Sequence, residues 1–178
     1  TFLVTANEGD AREYGTFTDE VKVEDLTAEA GSALEALQTN GDANDLRVTR
    51  FLGDADGDGE FEAAYAYGSR SFTIWDQNGL VVYDSGDDFE RITASIHGAQ
   101  FNNNDDENEG DSRSENKGPE PEAVTVGTLG DRTYAFIGLE RMGGIMVYDV
   151  TNPYDVQFAD YVINRNLTEG LTNADVIG

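Results

Sequence analysis

The sequence predicts an all-β protein made of antiparallel, β-propeller-like blades that form part of a larger propeller, with one short helix. Three observations point to this fold class. The apolar runs are short, rich in β-branched and aromatic residues, and separated by Gly, Asp and Asn, which is typical of strands. Two segments repeat one order of strands and turns, as the blades of a propeller do. A single segment has apolar residues at helical spacing.

Nine runs have the length and composition of β-strands. They are Phe2–Ala6, Leu46–Leu52, Ala63–Tyr67, Ser71–Asp76, Leu80–Tyr83, Ala123–Val126, Thr133–Leu139, Ile145–Val150 and Val156–Val162. The predicted helix is Thr27–Gln38, where Ala30, Ala33, Leu34 and Leu37 share one face and good helix formers lie between them.

The repeated segments are Tyr65–Gly86 and Tyr134–Tyr161. Each reads as a strand that ends near a glycine, a short turn with an arginine, a strand that ends in an aromatic residue and an aspartate, and a further strand. Repeats of this kind indicate blades that cover one another's apolar faces. The alternative is an ordinary meander or sandwich whose hairpins look alike by chance. We expect residues 1–178 to be a portion of one propeller-like domain, with acidic insertions near 54–62 and 102–118.

The composition excludes several partners. The 178 residues include 36 Asp and Glu against 11 Lys and Arg, a net charge of −25. This charge repels nucleic acid and anionic membranes, whereas it suits a protein in salt water or one that binds divalent cations. There is no cysteine, which excludes disulfides and thiolate metal sites. No apolar run approaches the roughly 20 residues of a membrane helix. As a separate expectation, the chain is a part of a longer protein.

The first acidic insertion has the spacing of a calcium loop. In "DADGDGEFE" the carboxylates of Asp54, Asp56 and Asp58 alternate with small residues, glycines allow a sharp turn, and Glu62 follows. Ca²⁺ takes six to eight oxygen ligands from flexible loops, and an EF-hand begins with this spacing. The twelfth position is Tyr65 rather than glutamate, which excludes a true EF-hand. A shorter Ca²⁺ loop and a solvated acidic turn both stay open.

The second acidic insertion, "NNNDDENEGD", contains no apolar residue. Charge runs of this composition are usually solvated and mobile. We therefore expect Asn102–Asp111 to be a solvated, mobile segment.

Several motifs resemble the choice-of-anchor I family, in order along nearly the whole chain. They are "ANEGDAREY" at 6–14, "GSRSFTIWD" at 68–76, "DSGDDFERI" at 84–92, "DSRSENKGPEPEAVTVG" at 111–127 and "YAFIGLERMGGIMVYDVTNP" at 134–153. The resemblance implies a propeller-like extracellular domain that is secreted or held at the cell surface. It also implies kinship with bacterial secreted proteins labelled alkaline phosphatases and with mesenchyme-specific cell-surface glycoproteins. Ala123 stands where the family usually has glycine.

The first acidic insertion and these motifs carry charged side chains, and the turns of a propeller would bring those of the motifs together. The candidate metal ligands are Asp54, Asp56, Asp58, Glu62, Glu8, Asp10, Glu120 and Glu122, and the expected metal is Ca²⁺. The candidate anion-binding residues are Arg70, Arg113, Lys117 and Arg141, which suit a phosphate-containing or polyanionic ligand. The alternative is a network of ion pairs that ties the blades together without any ligand.

Two functions follow from these residues. The single histidine, His97, excludes a histidine-rich dizinc centre, but a Ca²⁺-assisted phosphoesterase could be built from carboxylates and arginines. The second function is a non-catalytic surface or matrix protein with a structural Ca²⁺ loop. Arginines that share a pocket with Glu120 and Glu122 would favour the enzyme, and arginines in mutual salt bridges would favour the binding protein.

Overall fold

A computed structural model describes residues 1–168 and 171, and it shows a mostly β protein with antiparallel sheets and two α-helices. The strands are β1 (Leu3–Ala6), β2 (Glu13–Tyr14), β3 (Phe17–Thr18), β4 (Glu20–Lys22), β5 (Arg47–Thr49), β6 (Phe72–Trp75), β7 (Val81–Asp84), β8 (Pro121–Leu129), β9 (Arg132–Leu139), β10 (Ile145–Asp149) and β11 (Gln157–Val162). The helices are α1 (Ala33–Asn40) and α2 (Asp88–His97), with 3₁₀ turns at Val23–Asp25 and Gly98–Gln100. None of the described helices has the length and apolar character needed to cross a bilayer.

The chain divides into two compact units. Unit 1 consists of Thr1–Glu8, Ser69–Ser114 and Gly118–Gly178, and unit 2 consists of Gly9–Gly68 with Glu115–Lys117. Unit 1 is therefore assembled from three separate stretches of the sequence.

Unit 1 contains a three-stranded sheet in the order β1-β6-β7 and a four-stranded sheet in the order β11-β10-β9-β8. Its core is aromatic: the fully buried ring of Phe72 on β6 lies 4.8 Å from Tyr148 on β10 and 6.1 Å from Phe89 on α2. The hydroxyl of Tyr148 donates to the carboxylate of Asp88 at 3.1 Å, which satisfies the polar end of this buried side chain. The two sheets and α2 thus share one core.

Unit 2 has a smaller core made of Val23, Leu26, Leu34 and Val48. Around it lie the pairs β2-β3 and β4-β5 and the helix α1. Helix α1 begins where the side chain of Ser32 accepts the backbone N–H of Glu35, and it ends at Gly41, whose φ of 84° is the left-handed conformation that favours glycine.

The predicted antiparallel β structure is confirmed, whereas the predicted number of helices is wrong. Helix α2 was not predicted, although Phe89, Ile92 and Ile96 have helical spacing. Helix α1 begins at Ala33 and not at Thr27, because the preceding residues are held by a bridge from Ala28 to Phe61.

Several predicted strands also differ from the structure. The predicted strand Ala63–Tyr67 is reduced to a single bridge from Ala66 to Val48. Hence the first repeated segment supplies two strands, whereas the second supplies three. The strands of the described residues form four separate open sheets, two in each unit, so the propeller stays a prediction.

The second acidic insertion is more buried than predicted. Asn102 and Asn103 have no exposed surface and Asn108 is 1% exposed. The side chain of Asn108 donates to the backbone oxygens of Asn166 and Thr168, each at 2.7 Å. The expectation of a solvated segment is therefore wrong for these asparagines. Their side chains form hydrogen bonds within the protein, Asn108 to residues far along the chain and Asn103 to nearby Gln100.

The buried carboxylate of Asp19 links the side chains of Arg12 and Tyr67 within unit 2. Asp19 is 5% exposed, and its carboxylate accepts from the Arg12 Nε at 2.8 Å and from the Tyr67 hydroxyl at 2.8 Å. The hydrogen bond from the Arg12 side chain is the main cause that lowers the pKa of Asp19. Burial, together with the bond to Asp19, raises the pKa of Tyr67 to about 12.

We expect this lowered pKa to give unit 2 a pH-dependent stability. A carboxylate with a depressed folded-state pKa stabilises the fold above its unfolded-state pKa of roughly 3.9, and it loses this contribution as the pH falls through the lower, folded-state pKa. Asp19→Asn should therefore lower the melting temperature at pH 6 but have progressively less effect below about pH 4. Thermal melts from pH 2 to pH 7 measure this difference, with Asp25→Asn at an exposed aspartate as control. A difference that stays constant across this range would contradict the prediction.

Candidate functional site

The first acidic insertion forms a compact, exposed loop, which we call the Asp54 loop (residues 54–62). Carboxylate oxygens of Asp54, Asp56 and Asp58 lie within 4.8 Å of one another. The Asp54 carboxylate accepts the backbone N–H groups of Gly57 at 2.6 Å and Gly59 at 3.0 Å, which turns the loop back on itself. Local hydrogen bonds thus gather three anionic side chains, an arrangement that could hold a hard cation.

The glycines of the Asp54 loop make this turn possible. Gly57 and Gly59 have φ values of 81° and 93°, a region that residues with a Cβ rarely adopt. Glu62 was predicted as a ligand, but its carboxylate accepts the backbone N–H of Ala55 at 2.8 Å and lies outside the group of three. Burial, followed by the charges of Glu62 and the loop aspartates, raises the pKa of Glu29. The loop is therefore a region of concentrated negative charge.

A second group of charges surrounds Glu120 in unit 1. Glu120 has no exposed surface and a φ of 51°, which is uncommon for a residue other than glycine. Its carboxylate forms an ion pair with the Nη2 of Arg113, and its other oxygen lies 3.3 Å from the Nε of Arg141. The backbone oxygen of Glu120 accepts the N–H of Glu140 at 2.8 Å, which fixes the start of β8 against the end of β9. Both arginines therefore meet one buried carboxylate.

Arg141 is shared among several carboxylates. Its Nη1 lies 2.6 Å from Asp105, and its Nη2 lies 3.5 Å from Glu140. Burial acts to lower the pKa of Arg141, but the hydrogen bond that Arg141 donates to Asp105 and the charge of Glu120 outweigh it and raise the pKa. The guanidinium is thus held in its charged form by residues of the same chain.

Glu8, Glu120 and Glu140 form the Glu120 cluster, a second group of carboxylates with oxygens within 4.8 Å of one another. Burial, and then a hydrogen bond to Glu120, raises the pKa of Glu140. Carboxylates this close favour either a shared proton or a cation between them. Sequence reasoning placed Glu8 and Glu120 among the metal ligands but left Glu140 out.

The other predicted residues occupy different positions. Arg70 donates to the carboxylate of Glu90 at 2.9 Å and to the backbone oxygen of Ser114 at 2.7 Å, both within unit 1. Lys117 and Asp10 lie 3.1 Å apart in unit 2, as an ion pair. Glu122 is exposed on β8. The structure therefore brings Arg113 and Arg141 together at Glu120, while Arg70 has a separate partner.

The partners of these arginines were not identified from the sequence. Glu90 and Asp105 belong to stretches with many carboxylates, so the pattern gave no reason to prefer them over their neighbours. Glu140 lies directly before Arg141 in the sequence "LERMGG", which was the one local signal available.

The fold and these charged groups define a mostly β, strongly acidic chain whose described residues include two clustered sets of carboxylates. The chain belongs to the choice-of-anchor I family, because the model of this family, described as "Choice-of-anchor I domain", matches residues 1–153. Domains of this family are typically extracellular or surface-associated. The family resemblance inferred from the sequence motifs is thereby confirmed.

A curated relative is Gigasin-3a of Magallana gigas, which is 33% identical to this chain over 120 residues. The match covers 64% of this chain and 37% of Gigasin-3a, so the chain spans little more than a third of that protein. No solved structure matches the chain.

Proposed function

We propose that this chain is a non-catalytic binding domain of the cell surface or extracellular matrix, stabilised by Ca²⁺ in the Asp54 loop. The observation that carries the proposal is the ion pairing of the arginines. Arg113 and Arg141 contact the buried carboxylate of Glu120, and Arg70 contacts Glu90. Each would have to give up a carboxylate in order to hold a phosphate, which disfavours an anion-binding centre.

Calcium binding by the Asp54 loop is supported by three features. Carboxylates at 54, 56 and 58 are close together, two of them are exposed to solvent, and glycines shape the turn. The chain carries a net charge of −25, so a bound cation also relieves repulsion between the loop and the rest of the protein. The remaining ligands of a Ca²⁺ ion would be backbone oxygens and water.

The propeller is part of this proposal. A propeller blade is typically a four-stranded antiparallel sheet, and β8 to β11 have this form with consecutive strands paired. The three-stranded sheet β1-β6-β7 would be a second, incomplete blade. In this reading the remaining blades come from the rest of a longer chain.

A second candidate is metal-assisted phosphoester hydrolysis, in line with the alkaline-phosphatase label of proteins that the sequence resembles. The observation in its favour is the Glu120 cluster, where three carboxylate oxygens lie within 4.8 Å of one another beside Arg113 and Arg141. A cation bound there would release an arginine to contact the phosphate.

Calorimetric titration of Ca²⁺ into chelator-treated protein tests the proposal. We expect wild-type protein to bind Ca²⁺ and Asp56→Asn to lose the Asp54-loop binding event by at least about tenfold in affinity, since one of three charged ligands becomes neutral. Glu60→Gln is the matched control, because it removes one charge from the same loop outside the group of three. Unchanged Ca²⁺ binding by Asp56→Asn would contradict calcium binding at this loop.

The same samples are assayed with p-nitrophenyl phosphate, with and without Ca²⁺. We expect no turnover in either condition. Ca²⁺-dependent turnover that is lost in Glu120→Gln would replace the proposal with the second candidate.

A further inference from the structure

The second acidic insertion forms a closed loop, residues 101–114, which we call the asparagine loop. Its base is closed by the N–H of Asp111, which donates to the oxygen of Phe101 at 2.8 Å, and by the N–H of Arg113, which donates to the oxygen of Asn102 at 2.9 Å. A Cβ at Gly110 would lie 1.8 Å from the backbone oxygen of Ala99, so only glycine allows this close approach. The asparagine loop is thus a closed, hydrogen-bonded loop within unit 1.

Three consecutive side chains of this loop have buried oxygens without a hydrogen-bond partner. Among the described residues, the Oδ1 atoms of Asn102, Asn103 and Asn104 are inaccessible to solvent and accept no hydrogen bond. Asn102 and Asn103 are fully buried as whole residues. A buried acceptor that stays unsatisfied costs about 1–3 kcal/mol, so three adjacent ones call for a common explanation.

The orientation of these amides is fixed by the partners of their nitrogens. The Nδ2 of Asn102 donates to the carboxylate of Glu90 at 2.7 Å, and the Nδ2 of Asn104 donates to the carboxylate of Asp106 at 2.6 Å. The Nδ2 of Asn103 donates to the backbone oxygen of Gln100 at 3.1 Å. Each of these partners can only accept a hydrogen bond. If the Oδ1 and Nδ2 atoms of one of these amides were exchanged, its oxygen would face the acceptor oxygen of its partner, which is unfavourable. The three unsatisfied atoms are therefore oxygens.

Amide oxygens in a strongly acidic loop are suited to a cation. The asparagine loop contains five carboxylates, Asp105, Asp106, Glu107, Glu109 and Asp111, against one arginine, Arg113, which pairs with Glu120. Of these carboxylates, Asp105 is paired with Arg141. Amide and carboxylate oxygens are the ligands that Ca²⁺ takes, and a divalent ion satisfies several oxygens at once. A single water molecule donates only two hydrogen bonds, which is fewer than the three oxygens require.

We propose that the asparagine loop binds a Ca²⁺ ion through the side-chain oxygens of Asn102, Asn103 and Asn104, with Asp106 as the associated carboxylate. This site is separate in sequence from the Asp54 loop and does not depend on it. The ion stabilises the asparagine loop, whose outer part is held by Arg165 through the backbone oxygen of Glu107 and the side chain of Asn108, both at 2.9 Å.

The test is a titration of Ca²⁺ into the chelator-treated, ¹⁵N-labelled full chain, followed by nuclear magnetic resonance. We expect the backbone resonances of residues 102–106 and the side-chain NH₂ resonances of the three asparagines to shift together and saturate. The double variant Asp56→Asn/Asp58→Asn should leave these shifts unchanged while it removes those of residues 54–60. Resonances of the asparagine loop that do not respond to Ca²⁺ would show that no Ca²⁺ binds there, which overturns the proposal. The resonances of the Asp54 loop report separately on the proposed function.

The variant Asn103→Asp distinguishes two roles of Asn103, a ligand of Ca²⁺ and a residue that only stabilises the loop. A carboxylate at this position faces the oxygen of Gln100, so we expect a lower melting temperature without Ca²⁺. With Ca²⁺ the added charge should tighten binding about tenfold and restore the melting temperature. Asn152→Asp, at an exposed asparagine outside the loop, is the matched control and should show no such rescue. A loss of stability in Asn103→Asp that Ca²⁺ does not reverse would also overturn the proposal.

Discussion

Replacement of Glu120 by alanine is expected to lower the free energy of unfolding by about 3 kcal/mol, because it leaves two arginines without their shared buried carboxylate. Glu120 has no exposed surface, and the side chains of Arg113 and Arg141 are 17% and 28% exposed. Little solvent is therefore present to replace the lost carboxylate. For a chain of this length, such a loss corresponds to roughly 6–12 °C in melting temperature.

Urea unfolding followed by the fluorescence of Trp75, the single tryptophan, measures this change in unit 1. Glu122→Ala is the control, since it removes an exposed glutamate from the neighbouring strand position and should change the free energy by less than about 0.5 kcal/mol. The double variant Glu120→Ala/Arg141→Ala should lose less than the sum of the single changes. An effect of Glu120→Ala as small as that of Glu122→Ala would show that the ion pairs do not form in solution.

Replacement of Phe72 by alanine is expected to be at least as damaging, at about 4 kcal/mol. Phe72 is fully buried, and its ring contacts Tyr83, Phe89 and Tyr148 at centroid distances of 5.4, 6.1 and 4.8 Å. These rings come from both sheets of unit 1 and from α2, so the cavity would lie where three elements meet.

The same fluorescence measurement applies, with a matched control on the surface. Leu129 is 64% exposed at the end of β8, and Leu129→Ala should change the free energy of unfolding by less than about 0.5 kcal/mol. If Phe72→Ala unfolds at the same urea concentration as Leu129→Ala, the two sheets do not share the aromatic core described above.

The sequence was most informative where structure is local. The turn of the Asp54 loop could be predicted because its carboxylates alternate along a few residues and its glycines mark the turn, whereas its Ca²⁺ stays a proposal. The strands of the second repeat, Tyr134–Tyr161, were also close to those observed, since consecutive strands pair with one another. Short-range spacing is sufficient for both features.

The sequence was least informative where partners are distant or where many residues compete. The pairing of Arg141 with Glu120 depends on the register of β8 against β9. Arg113 is only seven residues from Glu120, but each arginine had dozens of carboxylates as possible partners. Burial of Asn102 and Asn103 could not be inferred from a stretch that contains no apolar residue. Helix α2 was missed for a different reason, because its β-branched residues and its acidic first turn conceal an amphipathic pattern.

The interrupted order of unit 1 in the sequence has a consequence for folding. Strand β1 pairs with β6 in the register Leu3 with Trp75, and the intervening stretch, Gly9–Gly68, makes up most of unit 2. Closing such a long segment costs conformational entropy before any contact is gained, which slows formation of this sheet. If unit 2 folds first, residues 9–68 are already ordered. Only the few residues that connect β1 and β6 to unit 2 then remain flexible, so the loop that must close is short. The order of folding in which unit 2 precedes the three-stranded sheet is therefore the one that this connectivity favours.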